Sequence, residues 1–234
     1  MALVERTSNL SQRMVQELGK NIVAGEYDKR ENIPTEADLC EKFNVSRSAV
    51  REAVKMLSSK GLIVSRPRQG ISILPESQWN IFDPDLLKWM LESKPSMNLL
   101  KEFLQMRIAI EPEAAALAAR LGDPKKIEAI EFALQKMKDA EDDSDEDLEA
   151  DIEFHISILY ASNNRFYIRL RDFIQTALRV SITYTTSIKG NHQSILDDHA
   201  KVLNAIKNGN AERAKQSMTL LIDEALSFIE QELK

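Results

Sequence analysis

Three residues in the C-terminal half have the types and spacing of a metal site. Asp151 and His155 are four residues apart in a segment of helical pattern, so they share one face of the predicted helix. His199 lies on another predicted helix, among apolar residues. One carboxylate and two imidazoles that converge from two helices could bind a divalent transition metal. Spacing alone leaves open that these are polar surface residues, or that a histidine is hydrogen-bonded to a carboxylate inside a bundle.

Arg107 is a further candidate because it is charged within an otherwise apolar helical segment. A buried arginine needs an anion, and the carboxylate of a small ligand would supply one. An ion pair with Glu111, four residues further along the chain, is the alternative. The third histidine, His192, is expected in an exposed loop.

A different chemistry, nucleic-acid recognition, is indicated around residue 46. The Ser46 hydroxyl can cap a helix by accepting a hydrogen bond from a first-turn amide, and Gly61 suits the left-handed residue beyond the helix end. The polar side of this predicted helix carries Arg47, Ser48, Arg51 and Lys55 near its start. An arginine there can bind O6 and N7 of guanine with two hydrogen bonds in the major groove.

The residues before this helix predict the turn of a helix-turn-helix. A preceding helix begins at a Thr35 cap, with Asp38 placed to complete a capping box, and ends near Phe43. Only two residues separate it from Ser46, and so short a turn makes two helices cross tightly. An earlier helix is predicted at about 10–24.

A basic hairpin is predicted after the recognition helix. Residues 62–64 and 71–74 have the pattern of two short strands. Arg66 and Arg68 give the tip positive charge, and Gly70 lets its backbone approach a phosphate or a minor groove. In this position the hairpin is predicted to be a wing; an ordinary solvated turn is the alternative.

The sequence predicts a mostly α protein of two domains. The polar stretch that Pro75 opens predicts a linker at 76–83. It would join a winged helix-turn-helix of three helices and a two-stranded wing, 1–75, to an all-α bundle of six to seven helices, 84–234. The net charge is +3 over residues 1–74 and -9 over the rest. That division fits a DNA-binding domain joined to an acidic regulatory domain.

Composition excludes several classes of protein. With 43% apolar and 29% charged residues, the chain has the composition of a soluble globular protein. No apolar run approaches the roughly 20 residues that cross a bilayer, and no signal peptide is evident, so a cytoplasmic protein without a membrane partner is expected. The single cysteine, Cys40, excludes an internal disulfide and a thiolate metal cluster. The sequence contains no nucleophile motif and no glycine-rich phosphate loop, so it gives no indication of an enzyme.

Together these motifs resemble those of the GntR family of transcription regulators. The resemblance over residues 10–74 rests on Pro34-Thr35-Glu36-x-x-Leu39, Val45-Ser46-Arg47-x-x-Val50-Arg51-Glu52-Ala53 and Leu57-x-x-x-Gly61-Leu62-Ile63. The C-terminal part resembles the FCD effector domain of the FadR subfamily through Arg107-x-x-x-Glu111-Pro112-x-Ala114-Ala115, Asp151-x-x-Phe154-His155, Asn164 and His199-x-x-x-Leu203-x-Ala205-Ile206. The segment from Gln78 to Glu92 is similar to that of members that control sugar-acid catabolism, galactonate among them.

The resemblance and the helix pattern imply a set of site residues. Those expected at double-stranded operator DNA are Ser46, Arg47, Ser48, Arg51, Arg68, Gln69 and Gly70. Those expected to bind a divalent transition metal, zinc or nickel, are Asp151, His155 and His199. Arg107 and Asn164 are expected to face an organic acid effector.

The function that the resemblance implies is that of a homodimeric repressor of a sugar-acid operon, released from a palindromic operator by an aldonate or hexuronate. Two positions depart from the family pattern. Metal-binding members usually carry a further histidine three residues after a methionine on the last helix, whereas here Met218 leads to Leu221. Ala37 stands where many relatives carry a DNA-contacting arginine. The alternative function is a metal-dependent enzyme acting on a sugar acid, with an accessory DNA-binding domain.

Overall fold

The chain forms two compact units, Met1–Pro95 and Ser96–Lys234. In a computed structural model, the residues described are 2–27, 33–93, 96–142, 144–186 and 192–233, with the backbone alone at 2–9 and 183–186. Helices predominate in both units, as predicted. No helix within these residues has the length and apolar character needed to cross a membrane.

The first unit is a winged helix-turn-helix followed by one more helix. Its elements, in chain order, are α1 (Ala2–Ala24), α2 (Glu36–Phe43), α3 (Arg47–Ser59), β1 (Ile63–Arg66), β2 (Gly70–Ile73), a 3₁₀ helix (Glu76–Gln78) and α4 (Pro84–Ser93). Their apolar faces meet in one core, whose fully buried side chains include Met14, Leu18, Leu39, Leu57, Leu62 and Trp89. The predicted three helices and two-stranded wing are confirmed.

Local hydrogen bonds form the turn between α2 and α3. Thr35 accepts from the Asp38 amide, and the Asp38 carboxylate accepts from the Thr35 amide, so the predicted capping box starts α2. Asn44 ends α2 in the left-handed conformation, with φ 50°. Ser46 Oγ accepts from the Ala49 amide at 3.3 Å and starts α3. These caps fix where each helix stops and starts, and therefore how α3 is presented.

The wing ends in a tight and exposed turn. β1 and β2 pair antiparallel, with Arg66 opposite Gly70, and the Gln69 amide donates to the Arg66 carbonyl at 3.2 Å. Pro67 at the second position and a φ of 65° at Arg68 make this a type II turn. Because that third position favours glycine, Arg68 is held in a strained backbone conformation at the tip.

Helix α4 packs in the first unit, whereas we predicted residues 84–93 at the start of the bundle. Trp89 is fully buried and donates from Nε1 to Gln16 Oε1 at 2.8 Å. Its ring lies so close to Gly19 that a Cβ there would come within 2.2 Å of it. Packing on α1 therefore extends this unit to Pro95. The composition of a polar stretch does not reveal such a contact between residues 73 positions apart.

The predicted linker, 76–83, also packs on the first unit. Trp79 is 8% exposed and donates from Nε1 to a backbone carbonyl at 3.0 Å. Lys60 Nζ donates to Asp83 at 2.7 and 2.8 Å and to Asp85 at 2.8 Å. Burial lowers the pKa of Lys60, but the bonds to the two carboxylates outweigh it and raise the pKa. This ionic cluster holds the start of α4 against the end of α3.

The second unit is the predicted all-α bundle. Its helices are α5 (Met97–Leu121), α6 (Pro124–Asp139), α7 (Asp145–Ala161), α8 (Arg165–Arg169), α9 (Arg171–Thr186), α10 (His192–Lys207) and α11 (Ala211–Glu232). Helix α11 packs along α5, α7 packs along α6, and α10 contacts α5, α6 and α11. The helical pattern of the sequence predicts one helix from Phe166 to about Ser187, whereas the structure has two, because α8 ends at Arg169 and α9 begins at Arg171. Ser187 lies outside the described residues.

Candidate functional site

The bundle brings Asp151 and His155 on α7 together with His199 on α10. His155 Nε2 lies 3.2 Å and His199 Nε2 lies 3.4 Å from Asp151 Oδ1. The three ligand atoms all lie within 4.8 Å of one another. His155 is 3% and His199 2% exposed, so the cluster is not a group of surface side chains.

The two histidines are oriented as metal ligands usually are. His155 Nδ1 lies 2.7 Å from Glu111 Oε2, and His199 Nδ1 donates to the Ile195 carbonyl at 2.7 Å. Since each Nδ1 is held by an acceptor, each Nε2 is left to face Asp151. Within the described residues, Asp151 Oδ1 and His199 Nε2 are buried without a hydrogen-bond partner. A cation between them would satisfy both atoms, so the residues present fit a divalent transition metal.

Arg107 is paired inside the bundle rather than open to a ligand. Its guanidinium donates to Glu111 Oε1 at 2.6 Å and to Oε2 at 3.1 Å, and both side chains are buried. One guanidinium nitrogen also lies 3.2 Å from each ring nitrogen of His155, and so lies over the imidazole. The alternative that the sequence left open, an ion pair with Glu111, is therefore present.

Charge coupling keeps the carboxylates of this cluster ionised. Burial alone would raise the pKa of Glu111, but Arg107 and His155 outweigh it and lower the pKa to about 2. For Asp151 the same opposition between burial and the two histidines leaves the pKa well below its usual value. Burial lowers the pKa of His155, but Glu111 and Asp151 outweigh it and raise the pKa.

A small cavity lies beside the ligand atoms. Its volume is about 30 Å³, enough for an ion and a water or two but not for a sugar acid. It is lined by Arg107, Asp151, His155, Ser181, Ile182, Ile195, His199, Leu221, Ile222 and Ala225. Leu221 thus occupies the wall where metal-binding relatives are expected to carry a fourth ligand. Ser181 is a polar lining residue that the sequence did not single out.

Asn164 and His192 are not placed where the sequence led us to expect them. Asn164 caps α8 by accepting from the Phe166 amide at 2.9 Å, and it does not line the cavity. His192 is the first residue of α10, not part of an exposed loop, and its side chain is only 18% exposed. The loop prediction was wrong because no local signal marked the carboxylates that lie beside it.

The first unit presents the predicted recognition residues on its surface. Arg47, Ser48 and Arg51 are exposed on the outer side of α3, and the wing tip exposes Arg68, Gln69 and Gly70. Ser46 caps the helix, and its hydroxyl lies 2.8 Å from that of Ser48. Arg51 Nε donates to Glu36 Oε2 of α2 at 3.2 Å. Sequence reasoning missed this last contact, because Glu36 is fifteen residues away and its only local role is in the first turn of α2.

Comparison with known proteins agrees with both halves of this description. Residues 10–73 match the bacterial regulatory proteins of the gntR family, and residues 102–224 match the FCD domain. The HTH-type transcriptional regulator YieP of Escherichia coli is 34% identical over 92% of this chain and 93% of that protein. The galactonate operon transcriptional repressor of E. coli is 32% identical over 92% and 95%. These similarities therefore do not identify galactonate as the effector of this protein, because YieP is at least as similar to it as the galactonate repressor is.

A solved structure supports the fold. The Listeria monocytogenes protein Lar, described as controlling expression of the agr system, aligns with a TM-score of 0.61. The alignment covers 94% of this chain and 96% of that one, at 18% sequence identity. At so low an identity the likeness concerns the fold alone.

Proposed function

The chain belongs to the GntR family of bacterial regulatory proteins and carries an FCD domain, and from this we propose that it represses a sugar-acid catabolic operon. Families of this kind are transcription regulators and not enzymes, so the alternative of a sugar-acid enzyme does not apply. The repressor would act in the cytoplasm as a homodimer on a palindromic operator. A small carboxylate effector would release it.

The observation that carries the DNA-binding half is the capped, exposed start of α3. Ser46 fixes the helix start, and Arg47 and Arg51 project from its first turns, where a recognition helix meets base edges. The wing adds Arg68, Gln69 and Gly70 as contacts to phosphate or the minor groove. One such helix reads only a few base pairs, which is why we propose a two-fold pair on two half-sites.

An operator-binding assay tests this half. The wild-type protein would first select its operator from random duplexes, and the affinities of Arg47→Ala and Arg51→Ala would then be measured on that sequence. Each substitution is expected to cost about 1–3 kcal/mol, or about 5- to 150-fold in affinity. Lys88→Ala is the control, because it removes an exposed positive charge of the same unit away from α3 and the wing. Equal losses in all three variants would contradict the recognition surface.

For the sensing half, we propose that Asp151, His155 and His199 hold a divalent transition metal, zinc or nickel. A metal held there would supply positive charge and open coordination positions for an organic acid. Glu111 and the Ile195 carbonyl would keep both imidazoles in the ligating tautomer. The Asp151 carboxylate, whose pKa lies well below its usual value, would meet the metal already ionised, whereas His155, whose pKa is raised, would release its proton on binding.

The effector must change the shape of the bundle. A cavity of about 30 Å³ is far smaller than the 300–1,000 Å³ of ordinary ligand pockets, so this conformation is closed to a sugar acid. Opening would separate Leu221 and Ile222 of α11 from the cluster, because these side chains form the apolar wall. Arg107 would pair with the effector only if the effector's carboxylate replaced that of Glu111. An effector with higher affinity for the open shape could thus shift the equilibrium and change operator affinity.

A panel of acids tests the sensing half. Galactonate, gluconate and glucuronate, with galactose as the uncharged control, would be added to the zinc-loaded protein bound to its operator. At least one acid is expected to release the DNA from the wild type but not from Asp151→Ala, whose basal operator affinity should be unchanged. Release of both proteins by the same acid at the same concentration would show that the effector does not use this cluster.

A further inference from the structure

A second group of ligand residues lies on the same two helices as the first. On α7, Asp147 precedes Asp151 by four residues, which is one turn. On α10, His192 precedes His199 by seven residues, which is two turns. Asp147 and His192 therefore lie on the faces that carry the inner cluster, nearer to the helix starts. Asp142, just before α7, completes the group.

The atoms of this outer group are close enough to share one ion. His192 Nδ1 lies 3.0 Å from Asp142 Oδ1 and 3.7 Å from Asp147 Oδ2. A ligand atom from each of the three residues lies within 4.8 Å of the other two, the same limit that the inner cluster meets. The Asp147 side chain is 13% exposed and the Asp142 side chain is 62% exposed. The group is thus open to solvent on the Asp142 side and enclosed on the other.

The contacts of His192 are not those of an ordinary hydrogen-bonded ion pair. Its Nδ1 is buried and has no hydrogen-bond partner within the described residues, although Asp142 Oδ1 is only 3.0 Å away. The same combination of short distance and missing hydrogen bond occurs between His199 and Asp151. In the tautomer with its proton on Nε2, His192 offers the Nδ1 lone pair to a cation, and the neighbouring carboxylate oxygens can bind the same ion.

We propose that Asp142, Asp147 and His192 form a second binding site for a divalent transition metal. One imidazole and two carboxylates are ligands that suit zinc and its neighbours in the first transition row. Water would fill the remaining positions on the exposed side, so this ion would exchange more readily than one in the enclosed inner cluster. The site joins the start of α10 to the segment that leads into α7, and the metal would hold these two helix starts together.

Zinc titration of the full-length protein tests the proposal. The chelator-treated wild type, His192→Ala, Asp151→Ala and the double variant would each be titrated with zinc alone, and the bound equivalents counted by calorimetry. The wild type is expected to bind one more zinc ion per chain than His192→Ala. Asp151→Ala should keep the ion that His192→Ala loses, and the double variant should bind none. Gln193→Ala, a change at the neighbouring exposed position, is the matched control and should bind as the wild type does.

The titration distinguishes a failure of the outer-site proposal from a failure of the inner-site proposal. If His192→Ala bound as many equivalents as the wild type with the same affinities, His192 and its carboxylates would be a simple ion pair and the outer site would be refuted. If Asp151→Ala matched the wild type while His192→Ala lost one ion, the inner site would fail and the outer one would stand. Cobalt substitution adds a readout of ligand identity, because loss of the imidazole in His192→Ala should shift the d–d absorption of the outer ion. Far-UV circular dichroism of each variant checks that the bundle is folded.

Discussion

Two arginine–glutamate pairs, one in each unit, show how the same chemistry serves opposite purposes. In the bundle, Arg107 and Glu111 have side chains only 5% and 1% exposed. On the DNA-binding unit, Arg51 and Glu36 are 68% and 36% exposed. The buried pair must stay together, because separating it would leave a charge without compensation in a low dielectric. Water screens the exposed pair, so Arg51 can exchange Glu36 for a DNA group at little cost.

The buried pair mainly stabilises the bundle, whereas the exposed pair leaves Arg51 available to bind DNA. Glu111 already pairs with both Arg107 and His155, so an anionic ligand can reach the Arg107 guanidinium only by replacing the Glu111 carboxylate. On α3 the arginines need no rearrangement beyond the release of one surface contact. Variants in each region should therefore affect different measurements. Both tryptophans, Trp79 and Trp89, lie in the first unit, so fluorescence follows that unit, whereas circular dichroism also reports the bundle.

The substitution with the largest expected effect, Glu111→Ala, tests whether the buried pair contributes more to stability than exposed pairs do. Removing one partner of the buried pair leaves Arg107 uncompensated and should lower the free energy of unfolding by about 3–5 kcal/mol. Denaturant unfolding followed by circular dichroism would measure it. Glu113→Ala, on the same helix but in surface ion pairs with Lys215 and Arg120, is the control and should cost less than about 1 kcal/mol. Similar losses for the two variants would mean that burial does not distinguish them.

Acid should weaken the buried pair selectively. The pKa of Glu111 is about 2 in the folded protein and 4.5 in the unfolded chain, so the stability that its ionised form contributes is fully present above pH 4.5 and is lost as the pH falls toward 2. The size of that contribution is about 3 kcal/mol. Glu111→Gln resembles the protonated residue, so its deficit relative to the wild type should shrink as the pH is lowered. A deficit that stayed constant across this range, in unfolding experiments at several pH values, would contradict the assignment.

A smaller effect is expected at the cap of the recognition helix. Ser46→Ala removes the acceptor of the Ala49 amide and should destabilise the first unit by about 1 kcal/mol. Tryptophan fluorescence during denaturant unfolding would detect this loss. Ser48→Ala is the matched control, because Ser48 contacts the Ser46 hydroxyl but caps no amide. An equal loss at both positions would show that the hydroxyl pair, not the cap, stabilises α3.

The smallest expected effect concerns the exposed pair. Glu36→Gln removes the charge that holds Arg51 and should change stability by less than about 1 kcal/mol. Operator affinity should rise slightly, because Arg51 no longer has to leave a carboxylate and the DNA meets one less negative charge. The operator-binding assay would measure the change. A marked loss of affinity would mean that Glu36 positions Arg51 for DNA, and the pair would then resemble the buried one more than we infer.

The features that the sequence predicted well are local ones. The Thr35 and Ser46 caps and the short turn between them depend on residues within four positions of each other, and their hydrogen bonds are present as expected. Helical spacing likewise predicted that Asp151 and His155 share a face. Their meeting with His199 needed the family resemblance, because nothing local brings α10 to α7.

The features that the sequence missed depend on contacts between distant segments. Glu111 was recognised as a partner for Arg107, but its contact with His155 joins residues 44 positions apart on different helices. His192 gave no signal of its own because its partners lie across a segment of about 50 residues. The position of α4 was missed for the same reason. The segment before α4 has the composition of a linker, whereas α4 is joined to α1 by contacts of Asp85, Trp89 and Glu92 with residues more than 65 positions away.

The closeness of Trp89 to Gly19 has a consequence for how this protein can diverge. Any side chain at position 19 would collide with the indole ring, because even a methyl carbon would lie 2.2 Å from it. A smaller residue at position 89 would relieve that collision but would leave a void in the core and the Gln16 carbonyl oxygen without its donor. A substitution at position 19 or at position 89 alone would therefore lower the stability of the protein. We therefore expect positions 19 and 89 to change in concert across related sequences, as a covarying pair that records the attachment of α4 to α1.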